Sequence, residues 1–414
     1  MRWNGSRLWW LPLAAWWAVP GSGVAAQPRA AAGPDAVLGP VHVARPALGP
    51  LVVVREQPES RLVALRLAVR VEEPQGLEGA ARVVVELARA QLEAAAAAVG
   101  GRASVERTTT HAVFRVVGPA DAFERLAAAL RLAAAGPAGA DVGQSALAAA
   151  RVVAEAQAAA ELDTPEPLVR AKLREALFPE LGSVSGRGVD LAGLTAERLA
   201  VVVAGGVEAG RAVAAFEGWP VRAGRGGRAG AAAARGEGPP AQAATPRPPA
   251  PQVVTRWVAL GYPATGEDPA VLAVAAALLA EELGQSGLGG ASAELWWNAG
   301  RRALVLLAPE PPGRNGDGDG SVRQRLERAV AAVAEGVDAA AVARARRRAV
   351  RDVLFAARSA EGLAEVLGTM LDRTGEPNAA LEFVAALERV GAHDVAHALQ
   401  ALRETRPEIA EVAP

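Results

Sequence analysis

The chain of 414 residues contains no cysteine, a single lysine and a single tyrosine, and aromatic residues make up only 4% of it. Without cysteine it cannot form a disulfide, a thiolate zinc site, a cysteine nucleophile or a lipid-modified amino-terminal cysteine. An excess of positive charge is also missing, because 44 basic and 45 acidic residues give a formal net charge of −1. The charge balance therefore gives no electrostatic reason to expect a nucleic-acid partner.

Apolar residues are abundant, at 51% of the chain, and alanine dominates them. This content is typical of a globular protein, and the length is sufficient for two or three domains with their own cores. Because alanine favours helices and aromatic residues are few, we expect cores that are rich in helix.

The amino terminus has the pattern of an export signal. Arg2 and Arg7 precede an apolar run from Leu8 to Pro20, and small residues lead up to Ala26. We predict residues 1–26 to be a signal peptide. The alternative is an uncleaved membrane anchor, although the run is shorter than the ~20 residues that a spanning helix needs. The mature protein is expected in the periplasm or elsewhere in the cell envelope, without a stable membrane span.

The rest of the chain divides by composition. We predict a flexible leader at 27–36, a first domain at 37–220, a linker rich in Pro, Gly and Ala at 221–252, a shorter second domain at 253–405 and a tail at 406–414. Both domains show strand patterns followed by alanine-rich helices, which indicates a duplicated α+β unit. In the first domain a helix is predicted at 79–99 and a strand at 104–117, and a further helix at 146–160.

Several short segments, in this order, resemble the insulinase/pitrilysin family of metallopeptidases over most of the chain. They are Leu51–Glu56, Gly79–Leu87, Gly100–Ser104, Leu177–Pro179, Leu194–Leu199 and Phe216–Pro220. The resemblance implies two homologous domains, each an antiparallel sheet backed by helices.

The family's zinc motif is absent from the matching segment. Where the family has roughly Gly-x-Ala-His-x-x-Glu-His, this chain places Arg82 and Glu86 at the two histidines and Val85 at the general base. The third ligand position falls on Ala156, beside Glu155. A catalytic zinc site needs about three protein ligands and an open position for water. The resemblance therefore implies no catalytic residue and no cofactor in this chain, with zinc held by a partner.

A second family feature is also missing, the Arg–Tyr pair that holds the substrate backbone in the second domain. The chain's one tyrosine, Tyr262, lies on the first predicted strand of that domain instead. Partner subunits of the family carry a glycine-rich loop that touches substrate. Here the matching loop at 284–290 offers possible peptide contacts at Gly284, Gly287, Gly289 and Gly290.

Trp296 and Trp297 are a further candidate contact. Neighbouring residues on a strand point to opposite faces. We therefore expect one of the two rings to be exposed and to face a partner, with a place in the core as the alternative.

Other patterns have simpler interpretations. His393 and His397 stand one helical turn apart but lack the glutamate of a His-Glu-x-x-His motif, so a solvated helix start is favoured. The segment 315–320 resembles the start of a calcium loop, yet Leu326 stands where the bidentate glutamate belongs. The loop at 284–290 lacks the Gly-Lys-Ser/Thr of a phosphate-binding loop.

Three functions are consistent with these observations. The preferred one is a non-catalytic subunit of an exported zinc peptidase heterodimer, which completes the peptide-binding chamber of a sister chain carrying His-x-x-Glu-His. The alternative is a stand-alone binding or scaffold protein of the cell envelope that derives from a peptidase. The third is an active zinc metalloendopeptidase with relocated ligands, for instance His111 with Glu86.

Overall fold

A computed structural model describes residues 34–46, 49–70, 80–107, 111–135, 144–179, 199–219, 255–298, 300–310 and 320–412. The predicted signal peptide, the linker, nearly all of the leader and residues 315–319 of the calcium-like segment lie outside the described residues.

Twelve helices and ten strands are named here in chain order. The helices are α1 (Pro34–Val37), α2 (Ala80–Ala97), α3 (Phe123–Ala134), α4 (Gln144–Asp163), α5 (Pro165–Leu177), α6 (Ala209–Ala214), α7 (Pro269–Gln285), α8 (Val322–Glu335), α9 (Ala339–Ala356), α10 (Ala360–Thr374), α11 (Ala379–Arg389) and α12 (Ala392–Glu404). The strands are β1 (His42–Ala44), β2 (Leu51–Glu56), β3 (Leu62–Arg70), β4 (Arg102–Arg107), β5 (His111–Pro119), β6 (Ala200–Gly205), β7 (Arg256–Pro263), β8 (Ser292–Asn298), β9 (Arg301–Glu310) and β10 (Glu408–Val412).

The first sheet has the strand order β1-β2-β6-β3-β5-β4. Its pairs are antiparallel except β2 with β6, which run parallel with Val53 opposite Val202. A parallel pair requires a long crossover connection, and the connection from β2 to β6 includes the helices α2 to α5. The sheet is therefore mixed where a purely antiparallel one was expected. The strand expected at 104–117 is two antiparallel strands, β4 and β5, with Val105 opposite Phe114.

The second sheet is antiparallel throughout, in the order β10-β7-β9-β8. Its edge strand β10 pairs with β7, and Ile409 lies opposite Leu260. The interpretation of 406–414 as a tail is therefore wrong, because most of that segment completes the sheet of the second half.

Both faces of the first sheet are covered. Val52 and Val54 point into the core under α2 and α3, whereas Val53 between them points into a core on the opposite face. This alternation explains the apolar run Val52–Val54 in β2, because each of its residues is buried on one side of the sheet or the other.

The helix on that opposite face, α10, comes from the second half of the chain. Leu363 and Leu367 of α10 pack there on Ala64 and Val202. Gly368 makes the close approach possible, because a Cβ atom at this position would lie 2.5 Å from the Cδ atom of Arg66.

Helix α5 of the first half makes the reciprocal contact. One face of the second sheet packs on α7, and the other is covered by α5, with Val169, Leu173 and Leu177 buried against Val305 and Leu307. Each half thus supplies one helix to the other half's sheet. Among the described residues, no helix combines the length and the apolar character that crossing a membrane requires.

Candidate functional site

Helix α2 carries the positions that match the family's zinc motif, and its apolar face fixes it on the first sheet. Val85, Ala88, Leu92 and Ala96 are buried in the core over that sheet. Their spacing of three to four residues follows the helical repeat, so they form one face. Positions 82, 85 and 86 lie on the first two turns.

Val85 stands at the position of the general base and belongs to this core, with 5% of its surface exposed. A valine cannot accept a proton from a water molecule. Arg82 is half-buried and brings a cationic group to the first ligand position. Neither side chain supplies a metal donor.

Glu86, at the second ligand position, is the one carboxylate among the three, and it is buried. Its Oε2 atom accepts hydrogen bonds from Arg89, at 2.8 Å from Nε and 2.5 Å from a terminal nitrogen. Its Oε1 atom accepts a hydrogen bond of 2.9 Å from Nε2 of Gln157 on α4. Both oxygens are therefore already engaged by donors of the protein.

Arg89 also donates to Glu93 one turn further along α2, at 3.1 Å. Burial of Arg89 favours its neutral form, but the hydrogen bonds and the charge of Glu86 outweigh burial and raise the pKa of Arg89 above its usual value. The guanidinium is thus held as a permanent counter-charge to Glu86.

Helix α4 presents a different residue to α2 than the sequence predicts. Glu155, Ala156 and Gln157 are all exposed, and the side chain of Gln157 reaches Glu86 with a hydrogen bond. Ala150 and Ala154 are buried on the same side of α4, and their spacing to Gln157 is that of one helix face. The geometry therefore favours Gln157, which the sequence analysis missed, as the α4 residue nearest the second ligand position.

These residues do not fit a zinc ion. A guanidinium, an apolar side chain, an amide and a carboxylate with both oxygens engaged do not make the three ligands and open position that catalytic zinc needs. In the described part of the chain, no three His, Cys, Asp or Glu residues are grouped so that they could hold a metal ion. The alternative pair of His111 and Glu86 therefore has no third ligand there.

The glycine-rich loop is shorter than predicted, because α7 extends to Gln285 and includes Gly284. Gly287 and Gly290 have positive φ angles of 69° and 78°, which other residues rarely adopt. Leu288, between these two glycines, is buried in the core of the second half and anchors the loop there. All four of the candidate glycines are exposed. Their contact with a peptide stays a prediction.

The expectation of an exposed tryptophan is wrong, because Trp296 and Trp297 are only 1% and 7% exposed. The rings do lie in different cores: Trp296 packs in the core under α5 and Trp297 in the core under α10. Both faces of β8 are covered, so neither ring offers a surface to a partner.

A crevice of about 280 Å³ opens at the end of α5. Its walls include Phe178, Pro263, Arg301, Arg302 and Glu408, and none of its residues belongs to α2 or α4. It is therefore separate from the altered metal site.

No family model matches the sequence, and no curated protein matches it either. Solved structures do match. The chain has the fold of M16 peptidases, the family of insulinase and pitrilysin. A protein from Alicyclobacillus acidocaldarius described as M16-like peptidase superposes with a TM-score of 0.65 at 16% identity, over 91% of this chain and 98% of its own.

Two further structures support the same fold. A peptidase M16 inactive domain from Pseudomonas fluorescens gives a TM-score of 0.64 at 14% identity, over 90% of this chain and 98% of its own. A protease from Helicobacter pylori gives 0.68 at 12% identity, over 91% and 99%. The predicted α+β fold class is confirmed. At these identities the likeness shows the fold alone.

Proposed function

We propose that this chain is a non-catalytic, peptidase-derived subunit that completes the peptide-binding chamber of a zinc-bearing partner in the cell envelope. The observation that carries the proposal is the state of Glu86, whose two carboxylate oxygens are bound by Arg89 and Gln157 at the place where the family holds zinc.

The contact between Glu86 and Gln157 supports a structural role for the altered site. In the family, one zinc ion joins ligands from the helices that correspond to α2 and α4. Here a hydrogen bond of 2.9 Å joins the same two helices without a metal. Because Glu86 is buried and charge-paired, the helices keep a polar cross-link while the chemistry is lost.

The retained fold around the site supports a structural function for this chain. The M16 fold extends over 91% of the chain in the Alicyclobacillus comparison, so both halves of the peptidase scaffold are retained. A chain that keeps this scaffold without a zinc site is suited to form a wall of a chamber whose chemistry comes from a sister chain. The exposed glycines of the 284–290 loop are the candidates for peptide contact.

Two measurements test the proposal. The purified mature chain should hydrolyse no unfolded peptide, and tagged chain captured from its native envelope should bring a stoichiometric companion with a His-x-x-Glu-His sequence. Peptide hydrolysis by the isolated chain that EDTA abolishes would falsify it. A chain recovered alone argues for the second candidate.

That second candidate is a stand-alone binding or scaffold protein, and Tyr262 is the observation that favours it. Tyr262 is buried on β7, and burial, with the charge of Glu327, raises the pKa of its hydroxyl to about 12. A buried tyrosine cannot grip a peptide backbone. Binding of unfolded peptide by the isolated chain, without any companion, would support this function.

A further inference from the structure

Helix α9 has two opposite faces with different chemistry. Val342, Ala345 and Ala349 are buried against the second domain's core. The opposite side exposes Arg344, Arg347 and Arg351, and the same line continues to Phe355 and to Arg358 just past the helix end. The spacings of three and four residues keep all five on one face, which extends over about 20 Å at the rise of an α-helix. We call these five residues the α9 stripe.

The arginines of the stripe extend into solvent. The side chains of Arg344 and Arg351 are 54% and 69% exposed. The nearby carboxylates make only long contacts, 3.8 Å from Glu281 to Arg344 and 3.5 Å from Asp352 to Arg351. Exposed pairs of this length contribute little, so the stripe keeps a local positive charge. The whole chain has a net charge of −1, so the stripe is a local concentration and not a general property.

Phe355 gives the stripe an apolar contact point near the end of the helix. It is 51% exposed, and the guanidinium carbon of Arg358 lies 5.0 Å from its ring centroid. Exposed large apolar side chains beside arginines are typical of the residues that dominate protein–protein binding energy. A guanidinium already stacked on the ring keeps its remaining donors for a carboxylate.

We propose that the α9 stripe is a docking surface for an acidic polypeptide segment of another protein, with carboxylates on the arginines and an apolar side chain on Phe355. The linear arrangement along one helix suits an extended or helical segment. A membrane surface would need a broader apolar face, and Phe355 is the large apolar side chain that this stripe exposes. The proposal is independent of the altered metal site.

The test measures binding of a fluorescein-labelled peptide of repeating Glu-Leu-Glu-Glu to the full chain by fluorescence anisotropy. We expect saturable binding that weakens by about tenfold or more between low and high salt, because exposed charges are screened. Arg347→Glu with Arg351→Glu should reduce affinity by at least about tenfold, and the milder Arg347→Gln with Arg351→Gln by less. Phe355→Ala should also weaken binding.

Matched controls separate the stripe from general effects. Arg125→Glu with Arg406→Glu makes the same change in net charge at exposed arginines elsewhere, and Leu132→Ala removes a side chain that is 59% exposed on α3. Both should bind as the native chain does. The proposal fails if the peptide does not bind, or if the controls lose affinity equally. It also fails if the peptide does not bind but the chain binds phosphatidylglycerol vesicles more tightly than phosphatidylcholine vesicles, and the substitutions at Arg347 and Arg351 abolish that binding.

Discussion

Arg170 and Glu294 form a two-point ion pair in which each of two guanidinium nitrogens lies 2.7 Å from a different carboxylate oxygen. Arg170 belongs to α5 of the first half, and Glu294 to β8 of the second. Ser292 and the indole of Trp296 donate further hydrogen bonds to the same carboxylate. Burial favours the neutral acid, but Arg170 outweighs it and keeps the pKa of Glu294 below its usual value. The pair fixes the exchanged helix α5 on the second sheet.

Replacing Arg170 by methionine should destabilise the protein by about 3–5 kcal/mol, because it leaves a buried carboxylate without its partner. The side chain of Glu294 is only 4% exposed, so water cannot replace the guanidinium. Urea denaturation of the native chain and of Arg170→Met measures the difference. The deficit should shrink as the pH falls, since the pKa of the unpaired Glu294 rises and the acid becomes neutral.

Adding Glu294→Gln to Arg170→Met should recover a substantial part of the loss. The control is Arg323→Met, which breaks an exposed pair with Glu327 whose N–O distance is 2.9 Å, and it should cost less than about 1 kcal/mol. Equal effects of Arg170→Met and Arg323→Met would show that the pair does not hold the two halves together.

Gly368→Ala tests the close contact between α10 and the first sheet. The new Cβ atom would lie 2.5 Å from the Cδ atom of Arg66, which is itself held by Asp372 at 2.7 Å and Glu365 at 3.1 Å. Because Arg66 is anchored at its far end, we expect a loss of about 1–3 kcal/mol in a thermal melt.

Gly284→Ala is the matched helical control, because nothing lies within 4 Å of the added Cβ atom. It should be neutral or stabilise the protein by up to about 1 kcal/mol, since alanine favours helix over glycine. If Gly368→Ala is as mild as Gly284→Ala, the contact of α10 with β3 is looser than the structure indicates.

The ion pairs of Glu365 lead us to expect that the stability of the folded protein depends on pH. Burial favours its neutral form, but Arg66 and Arg115 outweigh burial and lower the pKa of Glu365 to about 2. Glutamate in an unfolded chain has a pKa of about 4.3. The stabilisation is therefore complete above about pH 4.3 and is lost as the pH falls towards about 2.

Glu365→Gln should lower stability at neutral pH and flatten the decline between about pH 4.5 and about pH 2, as measured by urea denaturation across that range. Glu155→Gln, on the exposed surface of α4, is the control and should leave the curve unchanged. An unaltered acid decline in Glu365→Gln would mean that other groups cause it.

The sequence identifies the elements whose signals are local. The helix expected at 79–99 is α2 at Ala80–Ala97, because alanine, leucine and glutamate without proline favour helix over a long window. The α+β class follows from the same periodicities. β10 was missed because its strand character depends on pairing with β7, which is far away in the sequence.

The interior of the altered site could be predicted only in part. The sequence of the segment is enough to show that Arg82 replaces a metal ligand and that Val85 replaces the general base. The contact of Gln157 with Glu86 depends on how α4 docks on α2, and the small residues Ala150 and Ala154 on the same face are the one signal that could have shown it. The burial of both tryptophans depends on the exchange of α5 and α10 between halves, which leaves no local pattern.

Restoring ligands tests whether the scaffold around the altered site is still that of a zinc peptidase. The variant Arg82→His with Glu86→His and Gln157→Glu places two histidines one turn apart on α2 and a carboxylate on the facing side of α4. We expect it to bind one zinc ion per chain, because three ligands then converge on one point. Val85 is kept, since a carboxylate at this buried position would destabilise the core. Metal analysis after dialysis measures the stoichiometry.

The matched control carries the same two histidines with Ala156→Glu in place of Gln157→Glu. This variant should bind zinc more weakly, because it is the side chain of Gln157 that reaches Glu86. Tighter binding by the Ala156→Glu variant would show that Ala156, and not Gln157, occupies the third ligand position. Stoichiometric zinc in the native chain would contradict the non-catalytic function. If only the Gln157→Glu variant binds, then the Glu86–Gln157 hydrogen bond stands where a metal bridge would, and the two helices are still spaced to hold one.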